Sequence, residues 1–215
     1  MRPIPDVKLA FIPDLESSST FAFVRSICSA YDIPAKRSLH AQKETLKQFV
    51  YEQGTAGFNV VLLLDEAQGL TNEMFEIVRS FLNYESNNAK LIQIILTGQI
   101  ELREKLKNRE NRAIKSRVIM YGLLDPLSLH EMKGMIAHRC NLAQIPIPFT
   151  DNALSNIYEW SGGVPRDILK ICSLAYESSR LAGVDDVPDE IVHFSIHQEE
   201  RALSDEPEQT QAHAG

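Results

Sequence analysis

Residues 60–64, VVLLL, are five apolar residues in unbroken succession, and they run straight into two carboxylates, Asp65 and Glu66. A strand with one face in water alternates apolar and polar residues. A run without alternation marks a strand shielded on both faces, as in a parallel sheet flanked by helices. Parallel strands need crossover connections, usually helices, and the neighbouring sequence supplies both. VKLAFI (residues 7–12), bounded by Pro5 and Pro13, and AKLIQIIL (residues 89–96) read as further strands, with residues 118–121 as a short fourth. Phe21, Val24, Ile27, Cys28 and Tyr31 fall on one helical face, which predicts a helix over 17–31 and a core role for its aromatics. Further helices are predicted over 39–53, 73–82 and 101–107. Strands alternating with helices define a doubly wound α/β sheet, whose ligands gather at the carboxyl ends of the strands.

Beyond Pro126 the pattern changes to helices alone, over 129–140, 151–160, 165–181 and 188–196, entered near Ser128, Thr150, Gly163 and Asp186. The expected organisation is an α/β core over 1–125, an all-helical domain over 126–197 and an acidic, disordered tail over 198–215. The composition is that of a globular protein, 44% hydrophobic and 24% charged, and the net charge of −7 argues against a surface built mainly to grip nucleic acid. The three cysteines, Cys28, Cys140 and Cys172, lie in apolar helical sequence without C-x-x-C spacing, which argues against a disulfide framework or a zinc site. No apolar run reaches the roughly 18–20 residues of a membrane span. The sequence therefore predicts a soluble, cytoplasmic chain.

An acid pair at the end of a buried parallel strand has a specific chemical use. The first carboxylate can hold Mg²⁺ through its waters, and the second can orient and deprotonate a water attacking a phosphate. The alternative is a strand that stops at solvent. Three later segments favour the chemistry. Thr97-Gly98-Gln99 ends the next strand in polar residues, beside the acids if the strands are adjacent. Residues 103–117 are locally basic, with Arg109, Arg112, Lys115 and Arg117 available to anions, although most of such residues suit a solvated helix face. Ser161-Gly162-Gly163-Val164-Pro165-Arg166 turns into a helix and leaves Arg166 at its N-terminal end, an unusual place for a cation without an anion nearby. His193 and His197 stand one helical turn apart but lack a third ligand, so they read as an exposed face.

VVLLLDEAQ, LIQIILTGQIELREKL, SRV and SGGVPRDILKICSLA, in this order, resemble the AAA+ ATPases of the ExeA, TnsC and TniB group, which are related to Orc/Cdc6-type modules. The resemblance covers residues 7–196. It implies a P-loop NTPase-like parallel sheet, of strand order 5-1-4-3-2, followed by a helical lid, with ATP and Mg²⁺ as cofactors. It makes Asp65 the Mg²⁺ residue and Glu66 the catalytic base of a Walker B motif. Gln99 becomes sensor 1, with Thr97 as the other candidate, Arg117 the arginine finger and Arg166 sensor 2. It further implies a homo-oligomer assembling on a partner. DNA with a transposase is the expected setting, and a secretion-associated ATPase or a non-catalytic adaptor are the alternatives. DEAD-type helicases share the acid pair, but they need a second α/β domain that the helical second half does not offer. The departure is at the front. The family's first strand leads into G-x4-G-K-S/T, and no such sequence occurs in the 215 residues. Residues 7–12 resemble the family's second strand, so the first strand and the phosphate loop are expected upstream of Met1, and this chain is expected to be inactive alone.

Overall fold

A computed structural model describes residues 6–14, 19–85 and 90–204. The chain divides into two compact units between Tyr121 and Gly122. In the first, β1 (Val7–Ile12), β2 (Asn59–Leu64) and β3 (Ile92–Leu96) form a parallel sheet in the order β1-β2-β3. This is the 2-3-4 portion of the order implied by the resemblance. Ile12 pairs with Leu64 and Leu64 with Leu96, so the three strands end level. The residues that follow them are thereby set side by side.

Helices α1 (Thr20–Ala30), α2 (Leu39–Thr55) and α3 (Asn72–Phe81) begin where Ser19, Ser38 and Thr71 accept a backbone N–H three residues on. Each cap satisfies one of the donors that a helix start leaves unpaired and is worth about 1 kcal/mol. Their apolar faces, including Phe23, Ile27, Leu46, Phe75 and Phe81, bury one side of the sheet through Ala10, Ile12, Val60, Leu62 and Leu64. Each fully buried large side chain contributes roughly 1.5–3 kcal/mol. The other side differs from the expectation of a sheet covered on both faces. Register places Leu9 beside Val61 and Gln93, and Phe11 beside Leu63 and Ile95. There the central Val61 is 9% exposed, whereas Val7, Leu9, Phe11 and Ile95 on the outer strands are 46–54% exposed.

Residues 118–121, predicted as a strand, form none, with Ile119 98% and Met120 84% exposed. A strand exists only through its neighbour's hydrogen bonds, and the outer edge of β3 carries no strand among the described residues. After α4 (Ile100–Lys107), a 3-10 turn (Arg109–Asn111) and the short α5 (Arg112–Lys115) occupy sequence that was read only as basic.

The second unit is helical: α6 (Leu129–Ala143), α7 (Asp151–Ser161), α8 (Pro165–Leu181) and α9 (Asp189–Ser204). Ser128 and Glu131 form a capping box, Thr150 caps α7, and Pro165 opens α8. Met132, Ile136, Ile157, Ile168, Ile171 and Val192 make its core. The expected tail from residue 198 is helical as far as Ser204, and residues 205–215 lie outside the described residues. All three cysteines are free and buried. Among the described residues no helix is long and apolar enough to cross a membrane.

Candidate functional site

The ladder of hydrogen bonds runs one step past the strands. Asp65 N–H donates to the Ile12 carbonyl and Thr97 N–H to the Leu64 carbonyl, both at 2.9 Å, and Ala67 N–H returns to the Thr97 carbonyl at 2.9 Å. These bonds fix Asp65 and Thr97 as neighbours. The Thr97 hydroxyl donates to Asp65 Oδ1 at 2.6 Å, and the Glu66 N–H reaches the same oxygen at 3.0 Å. The hydroxyl first, and the N–H second, hold the Asp65 carboxyl below its ordinary value, because both bonds favour the anion.

Glu66 leaves the strand in the left-handed region, φ 49° and ψ 36°, and leads into a 3-10 turn (Ala67–Gly69). Its side chain is exposed and braced. The Gln68 carboxamide donates to Glu66 Oε2, and the Gln99 carboxamide approaches the same oxygen at 3.4 Å. Gln68 Oε1 accepts the Gln99 N–H at 3.1 Å. Lys105, from α4, donates to the carbonyls of Gln68 and Leu70, the latter at 3.1 Å.

Four of the expected site residues, Asp65, Glu66, Thr97 and Gln99, therefore form one hydrogen-bonded group. Arg117 lies outside it, exposed just past α5, with its guanidinium donating to the Ala113 carbonyl at 2.9 Å. Arg109, Arg112 and Lys115 are exposed as well. Arg166 belongs to the second unit, exposed in the first turn of α8. Gly162 and Gly163 before it have φ of +56° and +82°. Gln68 and Lys105 escaped the sequence reading. Gln68 showed only as the last letter of DEAQ, and Lys105 merged into a basic stretch.

Among the described residues no group of three His, Cys, Asp or Glu side chains is placed to hold a metal. His193 is exposed and lies 3.1 Å from the Asn156 carboxamide. An ionised carboxylate with one oxygen anchored by its neighbours suits Mg²⁺, which keeps most of its waters and is held by one or two carboxylates together with phosphate. The sequence has no glycine-rich loop to hold that phosphate. The residues present thus fit the metal and water half of a nucleotide site and not its phosphate half.

Residues 5–106 match the family model for the AAA domain. General secretion pathway protein A of Aeromonas hydrophila is 30% identical over 175 residues, which are 79% of this chain and 31% of that protein. In structure the chain is similar to Orc2 of Aeropyrum pernix, solved as ADPNP-ADP complexes, with TM-score 0.68, 16% identity, and coverage of 92% of this chain and 53% of that one. Cdc6p of Pyrobaculum aerophilum gives TM-score 0.64 at 16% identity, covering 92% of this chain and 56% of that one. The chain spans 31% of the curated relative and a little over half of each solved one. Strand order and similarity converge: residues 5–106 are an AAA domain, and the chain is homologous to general secretion pathway protein A and folded like the Orc/Cdc6 proteins.

Proposed function

We propose that this module serves ATP hydrolysis coupled to the assembly of an oligomer on a partner, in the cytoplasm. Asp65 would hold Mg²⁺, which would neutralise phosphate charge there, and Glu66 would take a proton from the water that attacks the terminal phosphate. Thr97 fixes the Asp65 carboxylate, and Gln99 senses the phosphate from the end of β3. Arg117 acts on the nucleotide of a neighbouring subunit, and Arg166 acts from the helical unit. The observation that carries this reading is the 2.6 Å bond from Thr97 to Asp65, which joins the polar end of one strand to the acid pair of the next. The nucleotide complexes of Orc2 support ATP as the ligand class.

Two settings remain within the proposal. The 30% identity to general secretion pathway protein A favours a secretion-associated role. The exposed Arg109, Arg112, Lys115 and Arg117 favour contact with DNA, as a transposition regulator would make with its transposase. Duplex DNA binding that weakens steeply with salt, and is lost when these four are changed to alanine, selects the second. No duplex binding at low salt selects the first.

The hydrolytic reading is tested by grafting a strand, a G-x4-G-K-S/T loop and a helix, together about 30–40 residues, ahead of Asp6. The grafted protein is expected to hydrolyse ATP. Glu66→Gln should leave ATP binding intact and slow turnover by roughly 10²–10⁴-fold, the usual contribution of a general base. Equal turnover in the two would sink the assignment of Glu66 and favour a non-catalytic adaptor.

A further inference from the structure

We propose that Gln68 is the positioning residue of Glu66, fastening its carboxylate to the turn that follows β3. The inference rests on the reading of Glu66 as a base and extends it to a residue with no assigned role. Three independent features meet at the Gln68 side chain. Its amide nitrogen donates to Glu66 Oε2, and its carbonyl oxygen accepts the Gln99 N–H at 3.1 Å. One carboxamide thus links the acid to the backbone of the neighbouring strand's end, using both of its polar atoms. Gly98 makes the seat for it. A Cβ at position 98 would lie 2.5 Å from Gln68 Oε1, closer than real contacts permit, and 3.2 Å from the Ala67 nitrogen, a tight contact, so it would displace the Gln68 carboxamide.

The turn carrying Gln68 is itself held from outside. The half-buried Lys105 caps the carbonyls of Gln68 and Leu70. Lys105 is in turn anchored where the buried Asn111 side chain donates to its carbonyl at 2.9 Å. Its ammonium faces these two turn carbonyls.

Both carboxamides, Gln68 and Gln99, address Glu66 Oε2. Oε1 accepts no hydrogen bond among the described residues, which leaves one defined oxygen to receive a proton. A movement of the turn at Thr97-Gly98-Gln99 is transmitted to Glu66 through Gln68 Oε1. The acid is thereby coupled to the strand end that would meet a phosphate.

The test is nuclear magnetic resonance on the 215-residue chain. In the unaltered protein the Gln68 side-chain amide protons should resonate away from free-amide positions, the Gln99 N–H should exchange at least 10-fold slower than an unprotected amide, and the Glu66 side chain should relax as an ordered group. Gln68→Ala should abolish the Gln99 protection and make Glu66 as mobile as a surface glutamate. Gln68→Glu keeps the acceptor and removes the donor, so it should loosen Glu66 while Gln99 stays protected. Unshifted β2 and β3 amides report that each variant is folded, and should one variant fail to fold, the other decides. A Glu66 side chain equally mobile with and without Gln68 overturns the proposal. If Glu66 is ordered through Gln68 but Glu66→Gln leaves hydrolysis in the grafted protein unchanged, the bracing stands and the general-base reading falls.

Discussion

At position 66 the backbone conformation and the side chain favour different residues. A non-glycine residue in the left-handed region costs about 1–2 kcal/mol, and Glu66 sits there at φ 49° without the short side chain that lets Asn or Asp tolerate it. Glu66→Gly should therefore raise the stability of the α/β unit by about 0.5–1 kcal/mol, read as a shift in its urea midpoint. The hydrogen bonds it gives up are solvent-exposed and offset only part of that gain. A destabilised Glu66→Gly would mean that the side-chain bonds outweigh the strain. Thr97 offers a second test on the neighbouring acid. Its hydroxyl is the largest influence lowering the Asp65 carboxyl, so in Thr97→Val that carboxyl should titrate closer to the ordinary value near 3.8, followed by its carbon resonance. Asp65 and Glu66 were legible in sequence because an apolar parallel strand announces its own end, and Thr97 and Gln99 because β3 does the same. Gln68 and Lys105 were not. Their parts depend on how a 3-10 turn folds back against β3 and α4, and no periodicity encodes that.

Among the elements, those whose stability is local were the ones sequence revealed. Ser19, Ser38, Thr71, Ser128 and Thr150 each cap a helix that begins within a few residues of its expected start. Residues 118–121 have strand composition but no partner, and α9 continues past residue 196 through polar sequence that composition alone assigns to a tail. Gly163 marks an element joint that substitution can probe. Its carbonyl accepts the Leu127 N–H at 2.9 Å, and a Cβ there would come within 2.1 Å of the Leu127 carbonyl oxygen, at a φ of +82°. Backbone cannot yield as a flexible side chain can, so Gly163→Ala should destabilise the helical unit by about 2–4 kcal/mol in thermal or urea unfolding. The helix starts also give this unit a dependence on pH. Glu131 is lowered by the Ser128 N–H and hydroxyl, Asp151 by Lys133, and Asp189 by the Thr150 hydroxyl and the Asn152 carboxamide. A carboxyl depressed in the folded state contributes stability above its unfolded value, and loses it as pH falls through the folded one. Helical circular dichroism should therefore hold from neutral pH to about 4.5 and its melting temperature should fall below that. Ser128→Ala should reduce the size of that fall.

Over the whole molecule, apolar exposure is concentrated and not scattered. Val7, Leu9, Phe11 and Ile95 share one side of the sheet, and Ile119, Met120, Tyr121, Leu123 and Leu124 follow one another along the chain at 63–98% exposure. Contiguous apolar surface of this kind takes up hydrophobic dyes. The folded chain should enhance anilinonaphthalene sulfonate fluorescence, and Leu9→Thr with Phe11→Ser should remove at least half of that signal while the unfolding transition persists. The same scale decides nucleotide affinity, because in this fold it is shared between separate parts of the sequence. Backbone N–H groups and a lysine of a glycine-rich loop hold the phosphates, a strand carboxylate holds Mg²⁺, and arginines add charge. The 215 residues contain the proposed site residues Asp65, Glu66, Arg117 and Arg166, but no G-x4-G-K-S/T. A single carboxylate acting on Mg²⁺ through water does not approach the roughly 8 kcal/mol of a micromolar complex. Titration calorimetry of this chain with ATP and Mg²⁺ should accordingly show no saturation up to about 1 mM, a free energy of about 4 kcal/mol. The grafted protein with a phosphate loop should saturate in the micromolar range. Saturating heat from the ungrafted chain at micromolar ATP would mean that its own residues build a phosphate site by a route other than the loop.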